Sequence, residues 1–295
     1  MYKNIKKLFF LTLLLWLSIH AKKADLVAFS YNRPLQLYAL LESLDHYVTG
    51  LEEVHVIYRT SDAAYEKAYQ EVIKAFPFVI FHKQGKQPRQ DFKPLTLAAS
   101  FESPSKYILF AVDDIIVKDF IDIEKSIKLL EETGAYGFYF RLGHNLGWCY
   151  LKNISQQLPQ LTKINNNVYS WVLKAGHYDW GYPHTVDMTL YRKKDIEHDF
   201  KIINYYNPNT LEGYWAQRIQ KIKNENKTGL CYKKTNIVNI PLNKVSRYNN
   251  RHMNLLSTQE LLKIFNQKLK IDIKLLYKIK NKSAHIHYVP NFIKR

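Results

Sequence analysis

The sequence predicts an α/β fold with a central mixed, mostly parallel sheet and helices on both faces. Three observations lead to this fold class. Short apolar runs alternate with runs whose apolar residues recur at helical spacing through the first half of the 295-residue chain. The connections between them are short, which is typical of strand–helix–strand units. Polar side chains follow several strand-like runs, at the edge where ligands bind to open sheets of this class.

The elements of the first half follow in order. Pro34 suits the first turn of a helix, and the leucines after it recur at helical spacing: Leu37, Leu40, Leu41 and Leu44. Strands are predicted at residues 25–30, 54–58, 78–81, 107–112 and 136–141. Helices are predicted from residue 34, at 63–75, at 95–101 and at 121–132, with Gly134 closing the last one.

The second half is less regular. Residues 145–168 are polar and rich in Asn and Gln, which favours loops. Strands are expected in the MTLY segment that ends at Tyr191 and at 231–240, and helices at 210–219 and at 255–282. We find no internal repeat and no linker. The expected organisation is therefore one domain over residues 22–245, followed by a basic helical extension over 246–295.

The N-terminus has the parts of a signal peptide. Three lysines precede an apolar run at residues 8–19, and the small residue Ala21 follows. A run of that length spans roughly 18 Å as a helix, against about 30 Å of bilayer core. Residues 1–21 are therefore expected either to be cleaved on export or to hold the domain at a membrane.

The chain is strongly basic, with 43 Lys and Arg against 26 Asp and Glu and a net charge of +17. Such a surface attracts phosphates. The charge alone allows three kinds of phosphate-bearing partner: a nucleic acid, a nucleotide sugar or an anionic membrane surface. Five lysines of the C-terminal extension are candidates for the membrane contact, although a solvated helix face explains them equally: Lys263, Lys268, Lys270, Lys274 and Lys278.

Asp113 and Asp114 are the sharpest chemical feature. Two adjacent carboxylates after the apolar run YILFAV are costly unless a cation or hydrogen bonds offset their charge. Mn²⁺ or Mg²⁺ held by such carboxylates and by substrate phosphates would neutralise a diphosphate leaving group. The alternative interpretation is a solvated acidic turn.

Glu212 is the best candidate for a catalytic base, and Asp187 competes with it. Glu212 falls in the first turn of a predicted helix beside aromatic residues, where it could accept a proton from an acceptor hydroxyl. A Glu early in a helix is also favoured by the helix dipole alone. Asp187 could instead orient the acceptor.

The ends of the first two strands supply candidates for nucleotide binding. Ser30, Tyr31 and Arg33 follow the first strand, where Tyr31 could stack on a base and Arg33 could pair with phosphate. Arg59 and Asp62 follow the second strand, and a carboxylate there could bind ribose or base. Turn chemistry is the alternative for each of them. Asp113 is expected to share in cofactor binding.

Several enzyme classes lack their signatures. There is no GxGxxG and no GxxxxGK[ST], which argues against dinucleotide oxidoreductases and P-loop enzymes. GxSxG and HExxH are absent as well. Cys149 and Cys231 lie far apart without metal-finger spacing, so buried free thiols are expected.

Over roughly residues 25–243 the chain resembles the GT-A glycosyltransferases, particularly family-two-like members. Four segments carry the resemblance: DLVAFSYNRPLQLYALLESL, FAVDDIIV, LEGYWA and KTGLCYKKTNIVNIP. They look like the opening strand and helix, the strand before the metal motif, the position of the base in inverting members, and the closing strand. The metal motif departs from the family because it reads Val-Asp-Asp, and Asn239 stands about where a His often completes metal binding.

The resemblance implies a GT-A Rossmann-like sheet and metal-dependent transfer of a sugar from a nucleotide-diphosphate sugar to a hydroxyl acceptor. The partners that it implies are a nucleotide sugar and a glycan or lipid-linked acceptor, with an anionic membrane surface and not a nucleic acid. Inversion is expected because a carboxylate base is available. Two alternatives stay open. One is a nucleotidyltransferase, although a Gly-rich basic loop is missing after the first strand. The other is a non-catalytic protein that binds carbohydrate or a membrane surface.

Overall fold

A nine-stranded sheet forms the centre of the molecule, and its strands are labelled β1–β9 in chain order. The computed structural model describes residues 23–220, 225–245, 251, 253 and 255–295. The strands are β1 (Ala24–Tyr31), β2 (Leu51–Arg59), β3 (Val79–Lys83), β4 (Tyr107–Val112), β5 (Gly137–Tyr139), β6 (Thr162–Lys163), β7 (Val168–Val172), β8 (Thr189–Arg192) and β9 (Thr228–Tyr232). Their order across the sheet is β6-β7-β9-β5-β8-β4-β1-β2-β3.

The sheet is mixed but mostly parallel, as the sequence predicts. Neighbours β4, β1, β2 and β3 pair in parallel. Strand β8 is antiparallel to both β4 and β5, and β7 is antiparallel to both β9 and β6. Since β9 and β5 pair in parallel, only β7 and β8 run against the other seven strands. The predicted α/β fold class is confirmed.

Seven α-helices are described, labelled α1–α7 in chain order. They are α1 (Pro34–Tyr47), α2 (Ala63–Ala75), α3 (Pro88–Phe101), α4 (Ile123–Thr133), α5 (Lys193–Ile202), α6 (Pro208–Ala216) and α7 (Thr258–Asn266). Short 3-10 helices occur at Leu173–Ala175, Tyr178–Gly181 and Ile273–Leu276. No helix within the described ranges is long and apolar enough to cross a membrane.

The alternating side chains of β1 build one core on each face of the sheet. Leu26 and Ala28 pack in the core that contains apolar residues of α1, α2, α4 and α7. Val27 and Phe29 pack in the opposite core, with apolar residues of α3, α5 and α6. Because successive side chains of a strand point to opposite faces, an uninterrupted apolar strand needs helices on both sides. The helices therefore cover both faces, as expected.

Local chemistry sets several helix ends. Pro34 occupies the first turn of α1, and Gly134 closes α4 with a left-handed φ of 64°. The Asn207 side chain accepts from the Thr210 N–H at the start of α6 and forms a capping box with it. Cys149 and Cys231 are buried and free, as predicted.

The C-terminal extension is less helical than the sequence predicts. Residues 255–282 contain α7, a short strand and a single 3-10 turn. The helix stops because Lys268 adopts a φ of 63°, and Leu269–Ile271 then pairs with Phe292–Lys294. The expected strand at 231–240 is also interrupted: after β9, Ile237–Asn239 pairs separately with Ile115–Val117. The predicted leader at residues 1–21 lies outside the described residues.

Two further short pairings complete the fold. Val48–Thr49 runs parallel to Ile121–Asp122, and Trp148–Cys149 pairs antiparallel with Ile154–Ser155. The predicted helix at 95–101 begins earlier, at Pro88, because proline is tolerated in a first turn. The region 145–168 consists mainly of loops, as expected, apart from two-residue strands.

A buried ion pair fixes the amino end of β1. The Lys193 Nζ lies 2.6 Å from the Asp25 Oδ2, and the Ser103 hydroxyl donates to the same oxygen. The Asp25 side chain is fully buried and that of Lys193 is 8% exposed. A buried carboxylate is tolerated only when such partners offset the loss of hydration. This contact joins β1 to the start of α5 and to the segment after α3.

We predict that Lys193→Met destabilises the fold by about 3–5 kcal/mol, because it leaves the Asp25 carboxylate buried without its cation. Urea denaturation monitored by circular dichroism would measure the change in the free energy of unfolding. The double variant Asp25→Leu/Lys193→Met should recover most of the loss, since it removes both charges. A loss below about 1 kcal/mol in the single variant would contradict the role given to this pair.

Candidate functional site

A cavity of about 930 Å³ opens at the carboxyl ends of β1, β2, β4 and β5. These strands run in the same direction, so the residues that follow them meet at one edge of the sheet. The cavity wall includes most of the predicted site residues, from the first, second and fourth strand ends and from the α6 region: Ser30, Tyr31, Arg33, Arg59, Asp113, Asp114, Asp187 and Glu212.

Asp113 is saturated by protein donors. Its Oδ2 accepts from the Ser30 hydroxyl at 2.8 Å and from the Tyr31 N–H at 3.3 Å. Its Oδ1 accepts from the Arg33 Nη1 at 2.9 Å. The residue is only 3% exposed. Asp113 therefore ties the β1–α1 turn to the end of β4, and this use of both oxygens differs from the metal and cofactor role expected from the sequence.

The Arg33 guanidinium also donates its hydrogen bonds to protein groups. Its Nε and Nη2 donate to the Asn243 Oδ1 at 2.8 Å and to the Asn243 carbonyl at 2.7 Å. Burial alone would lower the pKa of Arg33, but the charges of Asp113 and Asp114 outweigh burial and raise it. The guanidinium could bind a phosphate only by giving up these bonds. Arg33 lines the cavity, and the sequence-based expectation that it binds phosphate stays a prediction.

Asp114 differs from its neighbour because one of its oxygens has no donor. The Oδ1 is buried without a hydrogen-bond partner among the described residues, and the Oδ2 lies 3.8 Å from the Arg33 Nη1. Burial, together with the charges of Asp113 and Asp187, raises the pKa of Asp114 to about 7, while Arg33 opposes the rise. This carboxylate would gain from a cation or donor in the cavity.

Asn239 presents a second buried oxygen on the same wall. Its Oδ1 has no hydrogen-bond partner among the described residues, and its Nδ2 donates to the Asp187 Oδ1 at 3.4 Å. Within the described ranges no three His, Cys, Asp or Glu side chains are grouped to hold a metal ion. Asp114 and Asn239 therefore fit an ion that also takes ligands from substrate phosphates, and not one enclosed by the protein alone.

Glu212 and Asp187 face the cavity near each other. The Glu212 Oε1 accepts from the Val186 N–H at 3.0 Å. Burial raises the pKa of Glu212 to about 7, helped by the charge of Asp187, whereas hydrogen bonds from Thr185 and Val186 and the charge of Arg141 oppose the rise. A carboxylate with a pKa near 7 is suited to proton transfer at neutral pH.

Arg141 is a cavity residue that the sequence reasoning did not single out. Its Nη2 donates to the Asp179 carbonyl at 2.9 Å, and its Nη1 lies 3.7 Å from the Asp179 Oδ1. Burial would lower the pKa of Arg141, but Asp179, Asp187 and Glu212 raise it. The rule that places ligands after parallel strands could have found it, because Arg141 ends the predicted strand at 136–141.

Arg59 and Asp62, the two candidate residues after the second strand, have different surroundings. Arg59 lines the cavity, and its guanidinium lies 4.9 Å from the centre of the Tyr31 ring. Asp62 does not line the cavity. Its carboxylate instead accepts from the Ala64 and Tyr65 N–H groups and caps α2, so the structure replaces the expected nucleotide contact with a helix cap.

Three of the four tryptophans in the second half of the chain are core residues. Trp171, Trp180 and Trp215 are at most 2% exposed and pack in the core below the cavity. The His184 ring stacks on Trp215 at 4.6 Å. Trp148 is 37% exposed. Packing in the core therefore accounts for three of these four tryptophans.

Comparison with known proteins identifies a glycosyltransferase relative. The chain is 27% identical over 203 residues to the bifunctional glycosyltransferase pgtA of Dictyostelium discoideum. The match covers 61% of this chain and 25% of that protein, so the chain spans about a quarter of the length of this relative. The resemblance to glycosyltransferases is confirmed. No family model matches the chain.

Solved structures give looser similarities. S. aureus TarS 1–349 in complex with UDP superposes with a TM-score of 0.47 at 11% identity, covering 73% of this chain and 59% of that one. The mannosyltransferase PcManGT from Pyrobaculum calidifontis in complex with GDP-Man and Mn²⁺ gives 0.38 at 8% identity, covering 72% and 56%. A 4-diphosphocytidyl-2C-methyl-D-erythritol synthase from Anaerococcus prevotii gives 0.40 at 10% identity, covering 73% and 89%.

We predict that Glu212→Gln becomes increasingly stabilising relative to the wild type as the pH rises from 5 to 8. The pKa of Glu212 rises from 4.5 to about 7 on folding. Between these values the unfolded chain releases the proton that the native state keeps, so native stability falls with rising pH. Gln does not titrate and avoids this loss, which is on the order of 1–3 kcal/mol.

Thermal melts of both proteins across this pH range would test the prediction. Histidines titrate in both proteins, so their contribution cancels in the difference between the two melting temperatures. A difference that stays constant with pH would show that the environment does not raise the pKa of Glu212.

Proposed function

We propose that this chain is a glycosyltransferase that moves a sugar from a nucleotide-diphosphate sugar to a hydroxyl acceptor. One observation carries the proposal. The cavity at the carboxyl edge of the sheet holds Asp114, with a buried oxygen that receives no hydrogen bond from any described residue, together with Glu212, whose pKa is raised to about 7. The first suits a cation on the leaving diphosphate, and the second suits removal of a proton. The identity to a glycosyltransferase over 61% of the chain supports it.

The donor nucleotide would bind at the ends of β1 and β2. Tyr31 presents a ring beside the guanidinium of Arg59, and both line the cavity. A flat base can stack on such a surface, and the positive charge favours the diphosphate. Asp113 and Arg33 would act on the donor indirectly, because their buried contacts fix the position of Tyr31 and of the turn after it. Their role in donor binding is therefore positioning.

A divalent ion would bind between the donor phosphates, Asp114 and Asn239. When bound, the ion supplies positive charge that stabilises the nucleoside diphosphate as it leaves. Asp114 has the free carboxylate oxygen, and Asn239 adds a neutral oxygen from the strand paired beside it. We expect Mn²⁺ or Mg²⁺, since both prefer oxygen ligands.

Glu212 would take the proton of the acceptor hydroxyl as that oxygen attacks the sugar carbon. The Val186 N–H and Thr185 hold its carboxylate in place. Asp187 hydrogen-bonds to Asn239, which leaves it suited to orienting the acceptor. A single base acting on an external hydroxyl corresponds to direct displacement and hence to inversion at the sugar carbon.

Product analysis would test the proposed reaction against its alternatives. The full chain with Mn²⁺ is incubated with a panel of nucleotide sugars, with and without mixed glycan and lipid acceptors. A glycosyltransferase releases a nucleoside diphosphate, a nucleotidyltransferase consumes a nucleoside triphosphate and releases pyrophosphate, and a binding protein releases neither. Thermal shifts in the same panel identify the donor, because ligand binding stabilises the native state.

We predict different outcomes for the two adjacent aspartates. Asp114→Asn should lower Mn²⁺-dependent turnover at least about 100-fold with little loss of stability, because it removes a metal ligand and, among its contacts with the protein, only a 3.8 Å ion pair with Arg33. Asp113→Asn should lower the melting temperature, because Arg33 is then left buried without its carboxylate. Turnover with Mn²⁺ and thermal melts would be measured for both. Full turnover in Asp114→Asn would contradict the metal role.

We also predict that the acid limb of the pH profile belongs to Glu212. In the wild type kcat/KM should rise with pH to a plateau above about 7, because the base must be unprotonated. Glu212→Gln should lower kcat about 10²–10⁴-fold, abolish this limb and leave the Kd for the donor nearly unchanged.

Asp187→Asn is the matched control for the same measurements. It should raise KM for the acceptor more than it lowers kcat if Asp187 orients the acceptor. The assignment is reversed if the Asp187 variant loses the acid limb while the Glu212 variant keeps it.

A further inference from the structure

Five exposed apolar side chains occur in residues 148–158 and at residue 178, where Leu151 and Tyr178 line the cavity, and together they define the mouth surface: Trp148, Leu151, Ile154, Leu158 and Tyr178. Each is 37–49% exposed. Most come from the short hairpin formed by Trp148–Cys149 and Ile154–Ser155 and from the chain after it. An exposed apolar patch of this kind marks an interaction surface on a soluble protein.

Hydrogen bonds hold the two parts of the mouth surface together. The Gln156 Nε2 donates to the Trp148 carbonyl at 3.1 Å and to the Asp179 Oδ2 at 2.8 Å. The hairpin is thereby fixed to the 3-10 helix that begins at Tyr178. Leu151 and Tyr178 also line the cavity. A partner that covers the mouth surface would therefore face the opening of the site.

The C-terminal segment forms the border of the mouth surface. The Trp148 N–H donates to the Lys282 carbonyl at 3.0 Å, and the Tyr150 N–H donates to the Ser283 hydroxyl at 3.1 Å. The Asn145 side chain donates to the Asn281 carbonyl at 2.9 Å. The basic end of the chain is thus built onto the hairpin beside the cavity.

Both segments lack negative charge. The sequence contains no Asp or Glu from residue 133 to 178 or from residue 273 to 295. Lys152 and Lys282 are exposed, and neither forms an ion pair with a described residue. Apolar and cationic side chains without carboxylates are complementary to an anionic lipid surface, where the apolar groups enter the interface and the lysines meet the headgroups.

Two of the five C-terminal candidate lysines, Lys268 and Lys270, are less suited to that contact. Lys268 pairs with Glu71 at 2.8 Å, and Lys270 pairs with Glu42. Their charge is offset by side chains of α2 and α1. Lys152 and Lys282 have no such carboxylate partner among the described residues, and this difference favours the mouth of the cavity over Lys268 and Lys270 as the membrane contact.

We propose that the mouth surface rests on an anionic lipid bilayer, so that the cavity opens toward the membrane. Trp148, Leu151 and Ile154 enter the interfacial layer, and Lys152 and Lys282 lie at the headgroups. The acceptor is then the hydroxyl-bearing headgroup of a lipid, a conclusion that rests on the proposed transfer reaction. Bilayer binding itself requires no turnover.

Tryptophan quenching by brominated lipid would test the bilayer contact in the full chain. The vesicles contain equal parts of phosphatidylglycerol and brominated phosphatidylcholine, with vesicles of brominated phosphatidylcholine alone as the comparison. Trp171, Trp180 and Trp215 are buried, so the difference between the wild type and Trp148→Phe reports the environment of Trp148. We expect quenching of Trp148 in the anionic vesicles, with weakening at high salt.

Variants on and away from the mouth surface would show which residues contact the bilayer. Lys152→Glu and Lys282→Glu should each raise the lipid concentration for half-maximal quenching by at least about fivefold. Lys263→Glu on α7 and Ile80→Ser on the edge strand β3 should leave it unchanged. Leu151→Ser should weaken the quenching without changing the melting temperature, because the Leu151 side chain is exposed.

Three results would overturn the proposal. The first is an unquenched Trp148 in anionic vesicles, and the second is a loss of quenching in Lys263→Glu but not in Lys152→Glu. The third is a lipid-free dimer in sedimentation that Leu151→Ser dissociates, which would assign the surface to a second copy of the chain. Since donor turnover is not measured here, failure of the bilayer contact leaves the transfer reaction standing, and the reverse also holds.

Discussion

The buried contact between Asp113 and Arg33 holds together the edge of the sheet on which the cavity depends. Asp113 follows β4 and accepts from the hydroxyl, amide and guanidinium groups that follow β1. Arg33 in turn reaches Asn243, far along the chain. A charged pair removed from water is stable only with this number of additional hydrogen bonds. Its geometry therefore fixes the turn between β1 and α1, and with it the position of Tyr31.

This arrangement explains how two adjacent aspartates come to have different roles. Asp113 points into the network of donors, while Asp114 is left with a buried oxygen and a pKa raised to about 7. One cation, Arg33, serves both carboxylates, and the pair remains short of positive charge. A protein that keeps such a deficit in a cavity gains affinity for a cation there. This excess of negative charge lowers the stability of the native state, and the rest of the fold offsets that loss of free energy.

Arg141 on the cavity wall is also outnumbered by carboxylates. That guanidinium is buried among Asp179, Asp187 and Glu212, so one positive charge faces three carboxylates. Repulsion from Asp187 then helps to keep the pKa of Glu212 near 7, whereas Arg141 limits the rise. The proton-accepting property proposed for Glu212 thus depends on its neighbours more than on its place in α6. These neighbours, Arg141 and Asp187, come from segments of the chain separate from α6 and from each other.

The sequence by itself determined the α/β class, most strand and helix positions of the first half, and the strand ends at which the site would lie. These follow from local periodicity and from the direction of parallel strands, both of which can be read along the chain. Tertiary structure alone decided which polar groups pair. The tertiary structure pairs Asp113 with Arg33 and places the Asp62 carboxylate at a helix cap. It also brings Asn239 and Arg141 to the cavity wall. Hydrogen-bond partners such as Arg33 and Asn243 are 210 residues apart, and residue type and spacing contain no information about contacts at that separation.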